Sequence, residues 1–351
     1  MNATTVAVDL AKDVFELAFA ESDGRIAARK RLNRQRFADT LVHQPPCTVV
    51  MEACGSAHHW GRFAQRHGHR VLLLPPRDVR PYVRRDKTDR ADAAGLLEAA
   101  RCADIHPVLV KSVLQQEIHA LHAVRRQWIG TRTARCNVVR GLLREFGLVI
   151  RKGAATVRRE VPGLLADADN GLPYRLRAVL SALLQEISEL DARLAQIDAQ
   201  LREFARQQPL LQRIDGICGV GVLTATALWA ALGDVERFRR GRQLAAWFGL
   251  PPKEHSSGSR RRLGAMSKRG DPALRTLLIH GGRSCLAAAE RRARAGEPLT
   301  PLQRWMVACS ERCGRNKAAV AVANKIARIL WAVWRHDRTY DPNFTATTAN
   351  T

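Results

Sequence analysis

Four acidic side chains sit where carboxylates are electrostatically expensive. Asp9 follows the apolar, β-branched run Thr5-Val6-Ala7-Val8, and Glu52 lies in a second such run, Thr48-Val49-Val50-Met51-Glu52-Ala53-Cys54-Gly55. Asp89 and Asp92 fall in Asp86-Lys87-Thr88-Asp89-Arg90-Ala91-Asp92-Ala93, at the entrance to an Ala/Leu-rich helical stretch. A carboxylate at the end of a buried strand is costly to desolvate unless a cation neutralises it. Clustered carboxylates also raise one another's pKa unless a metal is present. Such a set suits Mg2+, which takes hard oxygen ligands and keeps several of its waters. Two such ions about 4 Å apart neutralise the attacking and leaving oxygens when a phosphodiester is cut. On a helix, the three-residue spacing of Asp89 and Asp92 places them on one face. Each acid taken singly reads equally as a solvated or capping residue; the set, in this strand order, reads as a site. Asp13 and Asp86 are near alternatives, and Asp86 would replace Asp89 if the register slipped by a turn.

A second constellation is Lys253-Glu254-His255-Ser256-Ser257-Gly258-Ser259-Arg260-Arg261-Arg262, followed by Ser267-Lys268-Arg269-Gly270-Asp271 and Arg275. Serine beside glycine in a basic loop is ordinarily a turn. Here Arg260, Arg261, Arg262, Lys268, Arg269 and Arg275 could clamp a phosphate against a serine hydroxyl. A serine that attacks phosphorus conserves the ester bond as a phosphoserine, which strand exchange requires. His255 is either a base for that serine or an ordinary loop histidine. Arg125, Arg126, Arg132, Arg135 and Arg140 lie along one predicted helix and would track a nucleic-acid backbone, the competing reading being a solvated basic face.

Composition narrows the partner. The chain has 351 residues with 57 Lys+Arg against 33 Asp+Glu, a net charge of +24, which points to a polyanion, nucleic acid first. Being 46% hydrophobic, it can bury the cores of two or three domains. Charges at Asp9, Lys12, Asp13 and Glu16 rule the first residues out as a signal peptide, and no apolar run approaches the roughly 20 residues of a membrane span. The expected location is therefore the cytoplasm, in association with the nucleoid. Eight cysteines are scattered without a Cys-x-x-Cys pair. They read as free thiols in a reducing compartment, Cys309 and Cys313 being too few for zinc.

The elements that must hold these residues follow from periodicity. Strands are predicted at 4–10, 14–20, 25–32, 48–53 and 71–74, with a hairpin turn at Ser22-Asp23-Gly24. Helices are predicted at 36–43, at 56–69 with Ser56 as N-cap, and after Lys87. A hairpin meander followed by strand–helix crossovers makes a mixed sheet with helices on its faces. Residues 112–147 read as helical. Leu176, Leu180, Leu183, Ile187, Leu190, Leu194, Ile197, Leu201 and Phe204 then alternate steps of four and three, the seam of a coiled coil. That seam would join subunits, close a hairpin, or pack inside one subunit. Leu211 to Leu228 reads as helix, Gly-rich bend, helix, a helix-hairpin-helix-like element whose second helix directs its positive end at a phosphate. Further helices are predicted at 241–250 and 317–334, with a polar loop at 251–262 and a disordered tail after Asp341.

In order, Val-Asp-Leu-Ala-Lys, Met-Glu-Ala, Asp-Lys-Thr-Asp-Arg-Ala-Asp-Ala, Leu-Ala-Ala-Trp-Phe-Gly-Leu-Pro-Pro, His-Ser-Ser-Gly and Ser-Lys-Arg-Gly-Asp resemble the DEDD transposases of bacterial insertion sequences (insertion-sequence family one-hundred-and-ten). These are related to the Piv invertases and include bridge-RNA-guided members. The resemblance spans roughly residues 4 to 335. It implies an α/β RuvC-like (ribonuclease H) domain over 1–110 with Asp9, Glu52, Asp89 and Asp92 as Mg2+ ligands. It further implies a helical coiled-coil domain over 111–208 and a mainly α transposase domain over 209–340, with 341–351 as tail. In that last domain Ser257 matches the nucleophile position, and Ser256 is the neighbouring alternative. The implied partners are donor and target DNA, a structured noncoding guide RNA, and further copies of the chain joined as a dimer or tetramer through the coiled coil. Asp271 stands where the family pattern has Asn. The rival readings are a hydrolytic Holliday-junction-type nuclease on the same fold, which needs no serine, and a non-catalytic RNA/DNA-binding protein.

Overall fold

The computed structural model describes residues 3–83 and 88–343. Asp86 and the tail from 344 onward lie outside the described residues. The chain divides into two compact units, residues 1–116 and 117–351.

The first unit is a mixed sheet with helices on both faces. Strands β1 (Thr5–Asp9), β2 (Val14–Ala20) and β3 (Ile26–Asn33) form an antiparallel meander. Helix α1 (Arg34–His43) then crosses to β4 (Thr48–Glu52), and α2 (Ala57–Arg66) to β5 (Arg70–Leu74), both strands running parallel to β1. The sheet order is β3-β2-β1-β4-β5, as the predicted meander and crossovers require. A short helix α3 (Pro76–Val79) follows, and α4 (Asp89–Ala100) covers one face. Strand alternation divides the core. Val6, Val8, Val49, Met51 and Leu73 pack with Phe15, Phe37 and Trp60 on one side, while Ala7, Val50 and Leu74 meet Ala93, Leu96 and Leu97 on the other. Ser56 stands at the N-cap of α2 as expected, but it takes a left-handed conformation (φ 66°) and does not cap with its side chain.

The second unit is helical apart from one hairpin. It contains most of α5 (Val113–Glu145), then α6 (Ala154–Ala166) and α7 (Tyr174–Gln207). Next come α8 (Pro209–Asp215), α9 (Val222–Leu232) and α10 (Gly241–Trp247). The hairpin is β6 (Pro252–Glu254) and β7 (Leu263–Met266), and α11 (Pro272–Arg294), α12 (Pro301–Cys313) and α13 (Arg315–Arg335) complete the unit. The stretch expected to be a polar loop, 251–262, thus holds strand β6 and the hairpin tip, with β7 following at once, and α6, α11 and α12 add to the expected helices.

The 34-residue helix α7 carries the predicted seam, and seven of those nine residues, from Leu180 to Phe204, are buried. Leu180 and Ile187 pack with Val139 and Leu143 of α5 and with Val157 and Val161 of α6. Ile197, Leu201 and Phe204 instead join Ile118 and the core built by α9, α11 and α13. The buried residues of the seam are thus packed within this one chain, the third of the arrangements that its periodicity allows. Helix α5 runs antiparallel to α7. Arg125 donates to Asp198 at 2.6 Å and Arg135 to Glu186 at 2.7 Å, so partners advance in opposite directions along the two helices. Between these, Asp191 is shared by Arg132 and by Arg158 of α6.

Two glycines set how closely the helices of this unit approach. A Cβ on Gly281 would lie 2.0 Å from the Gly219 carbonyl oxygen, and one on Gly282 would lie 2.5 Å from that of Ala319. No side chain fits at such separations, so α11 meets the α8–α9 bend and α13 backbone to backbone. Cys218 of that bend is joined by a disulfide to Cys285 of α11, which corrects the all-free-thiol reading for this pair.

Candidate active site

The parallel pairing of β1 with β4 sets Val8 opposite Met51, so Asp9 and Glu52 sit side by side at the carboxyl ends of adjacent strands. Alternation assigns their faces. Asp9 follows Ala7 by two residues and Glu52 follows Val50 by two, and both alanine and valine face α4. The two carboxylates therefore project on the side of the sheet that α4 covers, and both are part-exposed. Cys54 reports their convergence: its thiol is raised above its usual pKa by burial first, then by Glu52, then by Asp9. Nothing in the sequence singles out Cys54, because its electrostatic neighbour Asp9 is remote in the chain.

Asp89 and Asp92 occupy the first turn of α4, where the Thr88 hydroxyl accepts the Ala91 N–H at 3.2 Å. Carboxylates in a first helical turn are favoured by the helix dipole whether or not a metal is near. Asp89 is exposed and Asp92 half-buried. Among the described residues no three His, Cys, Asp or Glu side chains come together closely enough to hold one ion. The structure thus brings Asp9 and Glu52 together and leaves Asp89 and Asp92 outside that pair. Two carboxylates with two hard oxygens each still fit a Mg2+ that takes its remaining ligands from water and phosphate.

The serine segment forms the tip of the β6–β7 hairpin. The Ser257 and Arg260 backbones exchange N–H···O bonds of 3.3 and 3.1 Å across a tight turn, in which Gly258 supplies φ +54°. Ser256 and Ser257 differ sharply. The Ser256 hydroxyl donates to Glu254 at 2.7 Å and accepts the Arg262 N–H at 3.1 Å, stitching the hairpin together. That bond, with Arg261 as a further aid, holds the Glu254 carboxyl below its usual range against an opposing desolvation. The Ser257 hydroxyl is exposed and makes no hydrogen bond among the described residues. The His255 backbone pairs with Arg262 across the hairpin.

The basic residues divide by environment. Arg260, Arg261 and Arg262 are exposed on the hairpin, as are Lys268 and Arg269 on the loop that follows. That loop lies directly on the end of α10, where a Cβ on Gly270 would be 2.1 Å from the Trp247 carbonyl. Arg275 is a correction. It is 8% exposed, and its Nη1 donates to the carbonyls of Gly270 and Phe248, so it ties α11 to α10 and has no face for a phosphate. Arg125, Arg132 and Arg135 are corrections in part, each holding an α7 carboxylate. Of the five arginines read along α5, Arg126 is the exposed one and Arg140 is half-buried. Asp271 caps α11 by accepting the N–H groups of Ala273 and Leu274, work that Asn does equally well, which accounts for the departure from the family pattern.

Comparison with known proteins agrees with this layout. Residues 6–147 match the DEDD transposase model of the IS110 group, and residues 211–296 match the transposase IS116/IS110/IS902 family model. A probable family 20 transposase of Pseudomonas aeruginosa is 41% identical over 343 residues, covering 97% of this chain and 100% of its own. The chain belongs to the IS110/IS116/IS902 transposase family. The transposase for insertion sequence element IS1111A of Coxiella burnetii is 40% identical over 95% of this chain and 90% of its own. More distantly, the pilin gene-inverting protein of Moraxella bovis is 25% identical over 97% of this transposase and 98% of its own length. No helix among the described residues of the transposase is long and apolar enough to cross a membrane.

Proposed function

We propose that this insertion-sequence transposase is a site-specific recombinase that cuts and rejoins DNA through a phosphoserine at Ser257, under the direction of a structured bridge RNA. The observation that carries the serine assignment is the contrast at the hairpin tip. Ser256 is committed to Glu254 and Arg262, while the neighbouring Ser257 hydroxyl stands exposed among Arg260, Arg261 and Arg262. In the proposed step Ser257 Oγ attacks a backbone phosphorus and loses its proton to water. The bond from phosphorus to the leaving sugar oxygen breaks, and that oxygen takes up a proton. Ester number is conserved, so a different sugar hydroxyl can reverse the step and join a new strand. The arginines, with Lys268 and Arg269, would hold the phosphate oxygens, and guanidinium suits them because it offers paired donors in a plane.

Asp9 and Glu52 would hold Mg2+, which supplies charge neutralisation at the oxygens of the scissile phosphate. The meander-plus-crossover sheet supports the RuvC-like reading of the first unit, and the adjacent strand-end carboxylates support its use as a metal site. Asp89 and Asp92, both in the first turn of α4, are proposed as the remaining acids of the set. Sequence choice would pass to the RNA, with the protein gripping backbone.

The test is a cleavage assay with cognate element ends, resolved on denaturing protein gels. Wild type and Ser256→Ala are expected to yield a covalent protein–DNA adduct, and Ser257→Ala none. Adduct formation by Ser257→Ala but not by Ser256→Ala would move the nucleophile to Ser256. Strand cleavage without any adduct would leave a hydrolytic nuclease as the correct reading.

A further inference from the structure

We propose that the amino end of α9 is a second phosphate-binding site, separate from the serine hairpin, which grips one backbone phosphate of a nucleic-acid strand. A cavity of about 470 Å³ opens there, lined by the bend before α9, by Arg202 of α7 and by His280 and Ser284 of α11. Its floor is fixed in position. Gly219, at φ +83°, turns the chain so that its backbone lies against Gly281, leaving no room for side-chain adjustment beneath.

The donors facing this cavity lack acceptors. The first intrahelical bond of α9 runs from Ala225 N–H to Gly221 carbonyl, so the N–H groups of Val222, Leu223 and Thr224 precede it. The N-cap is Gly221, which has no side chain to accept from them, and they have no partner among the described residues. An Asp, Asn, Ser or Thr at this position would satisfy one of these groups from within the chain. The independent observation is Thr224. It is 7% exposed, lines the cavity, and its hydroxyl makes no hydrogen bond among the described residues. Its near neighbour Thr226, also buried, is fully used, donating to Val222 and accepting from His122.

The Thr224 side chain is held by packing while its hydroxyl opens into the cavity, so it can bond a ligand there without first breaking a bond inside the protein. Three amide donors, a hydroxyl and a helix dipole converge on an acceptor of negative charge, and a tetrahedral phosphate has the oxygens to meet them. Arg202 is exposed and adds the complementary charge. The one carboxylate on the wall, Asp198, is already held by Arg125 at 2.6 Å, so it does not repel an incoming anion. The site therefore takes the sugar–phosphate backbone, without reading sequence.

The proposal rests on the family reading only in taking nucleic acid as the ligand. Its test is equilibrium binding, which needs no strand cleavage and is run with Ser257→Ala as the common background. A Cβ on Gly221 would meet nothing within 4 Å, and the residue has an ordinary φ of −85°. Gly221→Asp should therefore fold, its carboxylate satisfying the amides from within. Fluorescence anisotropy on the full chain would use a labelled random-sequence DNA duplex and a labelled single-stranded RNA, each titrated between about 50 and 300 mM salt. Gly221→Asp is expected to weaken binding about tenfold and to reduce the salt slope by about one. Thr224→Val, which keeps shape and removes the hydroxyl, should weaken binding in the same arm. Loss in the DNA arm alone, the RNA arm alone, or both identifies whose phosphate is held. Wild-type affinity and slope for both variants in both arms would overturn the site, while leaving the serine chemistry untouched.

Discussion

His122 gives the second unit a defined sensitivity to acid. It sits on α5 with its Nε2–H donating to the Thr226 hydroxyl of α9 at 2.9 Å, because that hydroxyl's own proton is given to the Val222 carbonyl. Its pKa falls from 6.5 to about 4, first through burial and then through Arg125 and His119, with Asp198 opposing, so the ring is neutral at pH 7. Between these values the unfolded chain binds a proton that the folded chain refuses, so stability rises with pH across the window and is lost as pH falls from 6.5 towards 4. At 1.36 kcal/mol per pKa unit, the loss from this one group comes to about 3 kcal/mol. Six of the seven tryptophans, all but Trp60, belong to the second unit, so urea unfolding followed by tryptophan fluorescence reads it selectively. His122→Gln keeps a donor for Thr226 and removes the titration. Wild type should lose roughly 3 kcal/mol more than His122→Gln between pH 6.5 and 4. Identical pH slopes for the two proteins would refute the assignment, as would an imidazole NMR titration of His122 with a midpoint near 6.5.

Other outcomes follow from named contacts. Asp191→Ala leaves Arg132 and Arg158 facing each other without their shared acceptor, and should lower stability by about 2–4 kcal/mol in the same urea assay. Gly281→Ala drives a methyl into the Gly219 backbone and should depress the melting temperature well beyond Gly130→Ala, where nothing lies within 4 Å. In the first unit, His69 accepts the Cys47 N–H at 3.3 Å and donates to the Leu41 carbonyl at 2.7 Å. His69→Ala should therefore cost about 2–4 kcal/mol by leaving both groups buried and unmet, read by thermal melting. Asp9→Asn and Glu52→Gln, on the proposed reading, should each abolish strand cleavage while nucleic-acid affinity measured by anisotropy stays within about threefold.

What the linear pattern could determine was anything decided within a strand or helix of this chain. β-Branched runs ending in Asp9 and Glu52, turn residues at Ser22-Asp23-Gly24 and the four-three seam of α7 specify their own conformations, because each depends on neighbours a few residues away. The strand order then followed from short connections, and it set the two carboxylates side by side. Tertiary structure decided whatever depends on who faces whom. An arginine run along α5 looks the same whether it meets phosphate or α7, and only packing shows that Arg125, Arg132 and Arg135 meet Asp198, Asp191 and Glu186. Arg275, adjacent in sequence to exposed basic residues, turns inward because the close approach of Gly270 to α10 leaves carbonyls that need a donor. The serine pair is indistinguishable by residue type. Its members separate only when the hairpin folds Glu254 and the Arg262 amide onto one hydroxyl and leaves the other facing solvent. Residue chemistry is local and legible along the chain; the choice among partners is a property of three-dimensional proximity.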